Sequence, residues 1–162
     1  MAAQYVKGLD GILATLKALP PHIVSKAGGP VRGALRKGAV VFQKAYQENI
    51  RAIIEEPNKD GSTPDTSGTL VKSVIISRGK YRAGFQGETF KVRIKRGVKA
   101  PNGQSVNKYA GVLEFGYEGV PAKAPMRKAY EANKAAALAV IVSEMKKRTD
   151  AAARKARKQG FK

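Results

Sequence analysis

Apolar positions keep a helical period at both ends of the chain and a strand period in its middle. Over residues 8–19, Leu9, Ile12, Leu13, Leu16 and Leu19 fall on one stripe of a helix. Asp10 suits its first turn, and Pro20 and Pro21 end it. A second helix is expected from near Pro21 to about Ile54, on a stripe of Val31, Leu35, Val41, Phe42, Ala45 and Ile53. Gly28-Gly29-Pro30 predicts a kink or break, with Pro30 in the first turn of the longer piece. Residues 55–68 carry Pro, Asn, Asp, Ser, Thr and Gly but little to bury, so they read as an exposed loop.

Beyond the loop the period becomes two. Leu70–Ser77 reads as a strand rich in Val and Ile, and 79–87 as a turn or hairpin region. Thr89–Arg96 alternates clearly: Phe90, Val92 and Ile94 on one face, Lys91, Arg93 and Lys95 on the other. After a polar loop at 97–107, Lys108–Tyr117 reads as a third strand, with Tyr109, Gly111, Leu113 and Phe115 along one face. Val120–Pro125 is expected to be extended. A last helix then runs from Pro125 or Met126 through Arg148 or further, on a stripe of Met126, Tyr130, Ala137, Val140 and Ile141. From Lys146 the only apolar residues over the next turns are alanines, so this basic extension should fray on its own. The pattern predicts an α+β fold: N-terminal helices, a small antiparallel sheet of three to four strands, and a C-terminal helix with a basic extension. One domain is expected over 1–145, with 146–162 as the extension.

Composition narrows the chemistry. The chain has 162 residues and 43% hydrophobic content, enough for a core without metal or disulfide staples. It has no Cys, which removes disulfides, thiolate metal sites and Cys nucleophiles. No apolar run approaches a membrane-spanning length, and the opening residues lack the basic-then-apolar pattern of a signal peptide, so no membrane association and a cytoplasmic origin are expected.

Charge changes the picture most. Lys and Arg number 31 against 12 acids, for a net +19. Residues 71–108 carry +9 and 123–162 another +9, separated by an acidic stretch holding Glu114 and Glu118. Such an excess favours acidic partners: nucleic acid, an anionic membrane or an acidic protein surface. Two cation sets stand out. Lys91, Arg93 and Lys95, followed by Arg96 and Lys99, could track phosphates or form a charged solvent face. The second set is Lys146, Lys147, Arg148, Arg154, Lys155, Arg157 and Lys158, with Lys162 at the end. It could meet DNA, RNA or an anionic surface, or dock on acidic neighbours in an assembly.

Catalytic constellations are not legible. His22 is the only histidine and has no acid beside it in sequence. Glu55, Glu56, Asp60 and Asp65 lie in or beside the polar loop without a metal-loop spacing. Gly28-Gly29 lacks the Gly-Lys-Ser/Thr of a phosphate-binding loop. The expectation is a protein with no enzyme activity, metal or cofactor.

Three stretches, taken in order, resemble a known family. They are Thr66-Ser67-Gly68-Thr69-Leu70-Val71-Lys72-Ser73-Val74, then Tyr109-Ala110-Gly111-Val112-Leu113-Glu114-Phe115-Gly116, then Pro121-Ala122-Lys123-Ala124-Pro125-Met126-Arg127-Lys128-Ala129. With the opening Val6-Lys7-Gly8-Leu9-Asp10, this order resembles the tail-component family of long-tailed, lambdoid-type phages, the tail completion or neck proteins. The resemblance spans roughly residues 6–135. The chain departs from it at Tyr117, where the family often has Thr, and at Ala124-Pro125-Met126, where it often has Pro-Phe-Met.

The resemblance implies a structural virion protein in the tail or neck, present in the host cytoplasm during assembly, that completes the tail and supports head–tail joining. It implies a homo-oligomeric ring, six-fold like the tail tube. Its partners would be neighbouring neck or tail-tube proteins, with DNA or the tape-measure protein in the lumen. Gly68, Leu70, Glu114, Phe115, Gly116, Pro121, Pro125 and Met126 are the motif residues expected to matter for assembly. Glu114 could anchor a neighbouring subunit or stand as an acid on the sheet surface.

Overall fold

The computed structural model describes residues 10–18, 29–56, 68–79, 88–119 and 121–158. The expectations resting on Leu9, Leu19, Pro20, Pro21, His22, Gly28, residues 57–67 of the polar loop with Asp60 and Asp65, the 80–87 turn, Val120 and Lys162 lie outside the described residues.

Helix α1 spans Asp10–Ala18, and α2 spans Pro30–Glu55. Pro30 holds the first helical position of α2, as the Gly-Gly-Pro signal suggests, because its missing N–H would be unpaired there anyway. A short helical turn, α3 (Thr69–Lys72), leads into strand β1 (Val74–Arg78) and its antiparallel partner β2 (Phe90–Ile94). Helix α4 (Val106–Phe115) and the long α5 (Pro125–Lys158) complete the order. The fold is α+β, with helices packed on a small antiparallel sheet.

The frame is the antiparallel pair α2–α5, about 39 and 51 Å long at 1.5 Å per residue. Small residues let these helices meet closely. A Cβ on Gly38 would sit 2.4 Å from an Ile141 side-chain carbon, and Ala34 and Ala137 are fully buried. Side-chain amides of α2 then fasten its other neighbours. Gln43 Nε2 donates to the Val74 carbonyl (2.8 Å), Gln47 Nε2 to that of Val71 (3.1 Å) and Asn49 Nδ2 to that of Pro125 (2.9 Å).

The main core lies where α2, the hairpin, α3, α4 and the start of α5 converge, around Tyr46, Ile50, Val74, Ile94 and Leu113. Burying Ile50 completely contributes about 2 kcal/mol. A second, smaller cluster of Ile12, Ala34 and Met145 joins α1 to the other end of the α2–α5 pair.

Three expectations are corrected. The sheet among the described residues has two strands, not three or four. Lys108–Tyr117 is not a strand: the buried positions are Val106, Ala110, Leu113 and Glu114, a helical spacing, while Tyr109 and Phe115 of the expected inner face point outward. Leu70–Ser77 is a strand only from Val74. Gly68, at φ +63°, turns the chain into α3, and that turn buries the consecutive residues Leu70 and Val71, which a strand with one solvent face cannot do. The Ser73 N–H and hydroxyl both donate to the Thr69 carbonyl and close the turn.

The alternation of β2 holds. Val92 pairs with Ile76 and Ile94 with Val74 on the core face, with Lys91 and Arg93 on the other. Helix α5 passes residue 146 without a break and reaches Lys158, burying Thr149 and Ala156 along the way.

Candidate functional site

The second and third motifs meet at one carboxylate. Glu114 sits at the end of α4 with only 7% of its surface exposed. Its Oε2 accepts the Met126 N–H (2.8 Å); its Oε1 accepts the Arg127 N–H (3.2 Å) and Arg127 Nε (3.0 Å). Arg127 also donates through Nη2 to the Glu114 carbonyl at 2.6 Å. Met126 and Arg127 belong to the first turn of α5, whose backbone N–H groups lack helical partners. Glu114 satisfies two of them and places a negative charge at the positive end of a 34-residue helix. Glu114 is therefore an internal latch, not an acid on a sheet surface.

The chain between the two motifs is shaped to let this happen. Gly116, at φ +78°, ends α4 with its N–H on the Val112 carbonyl. Lys123 and Ala124 N–H groups both donate to the Leu113 carbonyl at 3.0 Å. This forces Ala124 to φ +49° just before Pro125, so the approach to α5 is not extended throughout. Lys123 pairs with Glu56 beyond the end of α2, a third tie on the same corner. Pro125 is buried, whereas Pro121 is exposed and Met126 stands partly in solvent.

Around the latch the surface is aromatic. Phe115 is 77% exposed and Tyr117 71%, and Tyr109 also stands out from α4. The Arg127 guanidinium lies 5.8 Å from the Phe115 ring centroid, a cation–π contact that steadies the ring in solvent. On the inner side, Tyr46 is buried and its hydroxyl is pushed up to about 12, first by desolvation and then by the charge of Glu114.

The sequence-predicted cations are distributed. Lys91 stands exposed on the outer sheet face, Lys95 just past the end of β2, Arg96 in the turn that follows and Lys99 in a bridge to Ser105. Arg93 is half-buried and donates through Nε to Ser77 Oγ (2.8 Å), so it is engaged within the sheet. Lys146, Lys147, Arg154, Lys155, Arg157 and Lys158 are exposed along α5. Arg154 Nε donates weakly to the Asp150 carbonyl at 3.4 Å. Arg148 differs: it is half-buried, pairs with Glu144 (3.1 Å) and faces α2. There it joins Arg32, Arg36, Lys37 and Arg78 around one recess. None of those four is conspicuous in sequence, apart from the i, i+4 spacing of Arg32 and Arg36 on one helix face.

Among the described residues there is no group of three or more His, Asp and Glu placed to hold a metal ion, and no helix long and apolar enough to cross a membrane. Glu55 and Glu56 are exposed. No protein-family model matches the chain, and searches of curated proteins and of solved structures likewise return no match.

Proposed function

We propose that this chain is a structural subunit of a phage tail or neck, without enzyme activity, that completes the tail and supports head–tail joining as part of a homo-oligomeric ring of six copies. The observation that carries the reading is the Glu114 latch. It welds the second and third family-like motifs into one corner and holds Phe115 and Tyr117 outward beside it. A fixed corner with exposed aromatic side chains suits a repeated subunit contact, because rigid aromatics contribute contact area at low entropic cost. A head-to-tail contact of this kind closes into a ring when its rotation divides the circle. The partners of such a ring are neighbouring neck or tail-tube proteins, with DNA or the tape-measure protein in the lumen, in the virion or in the host cytoplasm during assembly.

The test is mass in solution by light scattering, alone and with purified tails that lack this component. Ring-sized particles or uptake onto tails, both abolished by Phe115→Asp, are the expected result. A monomer ignored by tails and indifferent to Phe115→Asp would overturn the reading. A second reading, non-specific nucleic-acid binding, is favoured by the exposed α5 cations Lys146, Lys147, Lys155, Arg157 and Lys158. It predicts that a short DNA duplex binds with a steep salt dependence.

A further inference from the structure

Five cations from three elements surround an open recess of about 730 Å³: Arg32, Arg36 and Lys37 of α2, Arg78 of β1 and Arg148 of α5. Two of them are already matched. Arg78 is held by Glu88 at 2.9 and 2.5 Å, and Arg148 by Glu144 at 3.1 Å. No ion pair among the described residues engages Arg32, Arg36 or Lys37. The positive end of α2 adds to their field, since its first turn contains no acid and Gly29 brings no side-chain cap. Arg148 is seated there by Gly33, where a Cβ would come within 2.4 Å of the guanidinium.

The recess does not end in charge. Val40 and Phe90 line it, and Phe90 also walls a neighbouring apolar groove of about 460 Å³ bounded by Leu35, Phe42, Tyr130 and Ile141. Basic recess and apolar groove thus run side by side across one face of the α2–α5 pair, sharing a wall.

We infer that recess and groove together dock an acidic, amphipathic segment of another protein, with carboxylates against Arg32, Arg36 and Lys37 and apolar side chains against Phe90 and Leu35. Guanidinium groups pair carboxylates with matched geometry, and the apolar groove rewards the side chains between them. A nucleic-acid backbone has nothing to place in that groove. Bases would need free aromatic faces, and two of the groove's rings, Phe42 and Tyr130, are partly taken up by stacking on each other at 5.5 Å. A second copy is a poor occupant, because the chain carries +19 and few acids. The site is distinct from the exposed aromatics of the tail-assembly reading, since neither Phe115 nor Tyr117 lines it, and it meets that corner only at Met126 on the edge of the groove.

Fluorescence anisotropy at physiological salt tests it with three probes of equal charge: a peptide mixing glutamate and leucine, an all-glutamate peptide, and an oligothymidylate. The mixed peptide should bind tightest. Arg32→Glu with Arg36→Glu should weaken it by about tenfold or more, while Lys91→Glu with Lys95→Glu, the same charge change on and just past β2, should cost about threefold or less. Tyr130→Ser should weaken the mixed peptide but not the all-glutamate one. An acid at position 32 favours the first turn of a helix, so the recess variant should fold, as circular dichroism checks; Arg36→Gln with Lys37→Gln is the milder substitute. Equal losses from the two charge reversals, or tighter binding of the oligothymidylate, would overturn the proposal.

Discussion

At the scale of the residue, Glu114 illustrates how one side chain fixes a junction. It accepts three hydrogen bonds, two of them from consecutive backbone N–H groups of α5. Glu114→Ala leaves those donors without a partner in a closed corner and should cost about 2 kcal/mol. Glu114→Gln, which keeps one acceptor oxygen, should cost less; urea unfolding of the two variants separates them. Tyr46 makes a prediction about alkaline pH. Its folded pKa of about 12 lies above the ordinary 10, so the folded state holds this proton more tightly than the unfolded chain. Stability is undiminished below pH 10 and falls as pH rises from 10 towards 12, by on the order of 2 kcal/mol. Tyr46→Phe should flatten that alkaline limb in denaturation curves taken across the range. Two glycines of α2 should behave differently on conversion to alanine. Gly38→Ala meets the branched body of Ile141 and should destabilise by about 1–3 kcal/mol. Gly33→Ala meets only the far end of Arg148, which can swing away, so its thermal midpoint should change little.

At the scale of the element, the long helices and the β2 strand are legible from their period. The stripes read for the helices are nevertheless not their buried faces. Helix α2 buries Ala34, Gly38, Ala39, Tyr46 and Ile50 in place of Val31, Leu35 and Phe42, and Met126 and Tyr130 of α5 stand exposed, because the close α2–α5 contact selects small residues. Helix α4 is misread because its sequence satisfies two periods at once. Tyr109, Gly111, Leu113 and Phe115 alternate as a strand would, while Val106, Ala110, Leu113 and Glu114 recur as a helix does. What decides between them is a buried carboxylate with partners on α5, and that partnership spans the turn between the motifs. The α3 turn is hidden for a related reason: its cue is a single glycine with a left-handed backbone inside a loop-like stretch. Hydrogen exchange tests the assignment of α4. Consecutive amides from about 110 to 115 should be protected together, whereas an edge strand would protect alternate ones.

At the scale of the whole molecule, charge and frame are in tension. A net +19 repels itself across a domain held chiefly by two long helices. Raising salt from low to physiological ionic strength should therefore raise the melting temperature, measured by scanning calorimetry, because screening acts on exposed cations more than on buried contacts. The two basic zones of the sequence meet at the recess, where Arg78 of the first and Arg148 of the second line one opening, while their other cations are spread over separate elements. Lys91 lies on the outer sheet face and Lys95 just past the end of β2, the late cations lie along α5, and the recess draws on α2, β1 and α5 together. Only Arg148 of the sequence-predicted set lines that recess, because such a convergence depends on how elements pack and leaves no local trace.

The unbroken length of α5 makes it a measuring rod. Its first turn is clamped at Glu114, and its last cations lie some thirty residues on, roughly 45 Å away along one axis. A flexible linker would let those cations search a volume; a helix assigns them a distance and a bearing. Two residues added near its far end would lengthen the rod by only about 3 Å yet swing the cations by about 200° to the opposite side. Seven residues would lengthen it by about 10 Å and return them close to the same bearing.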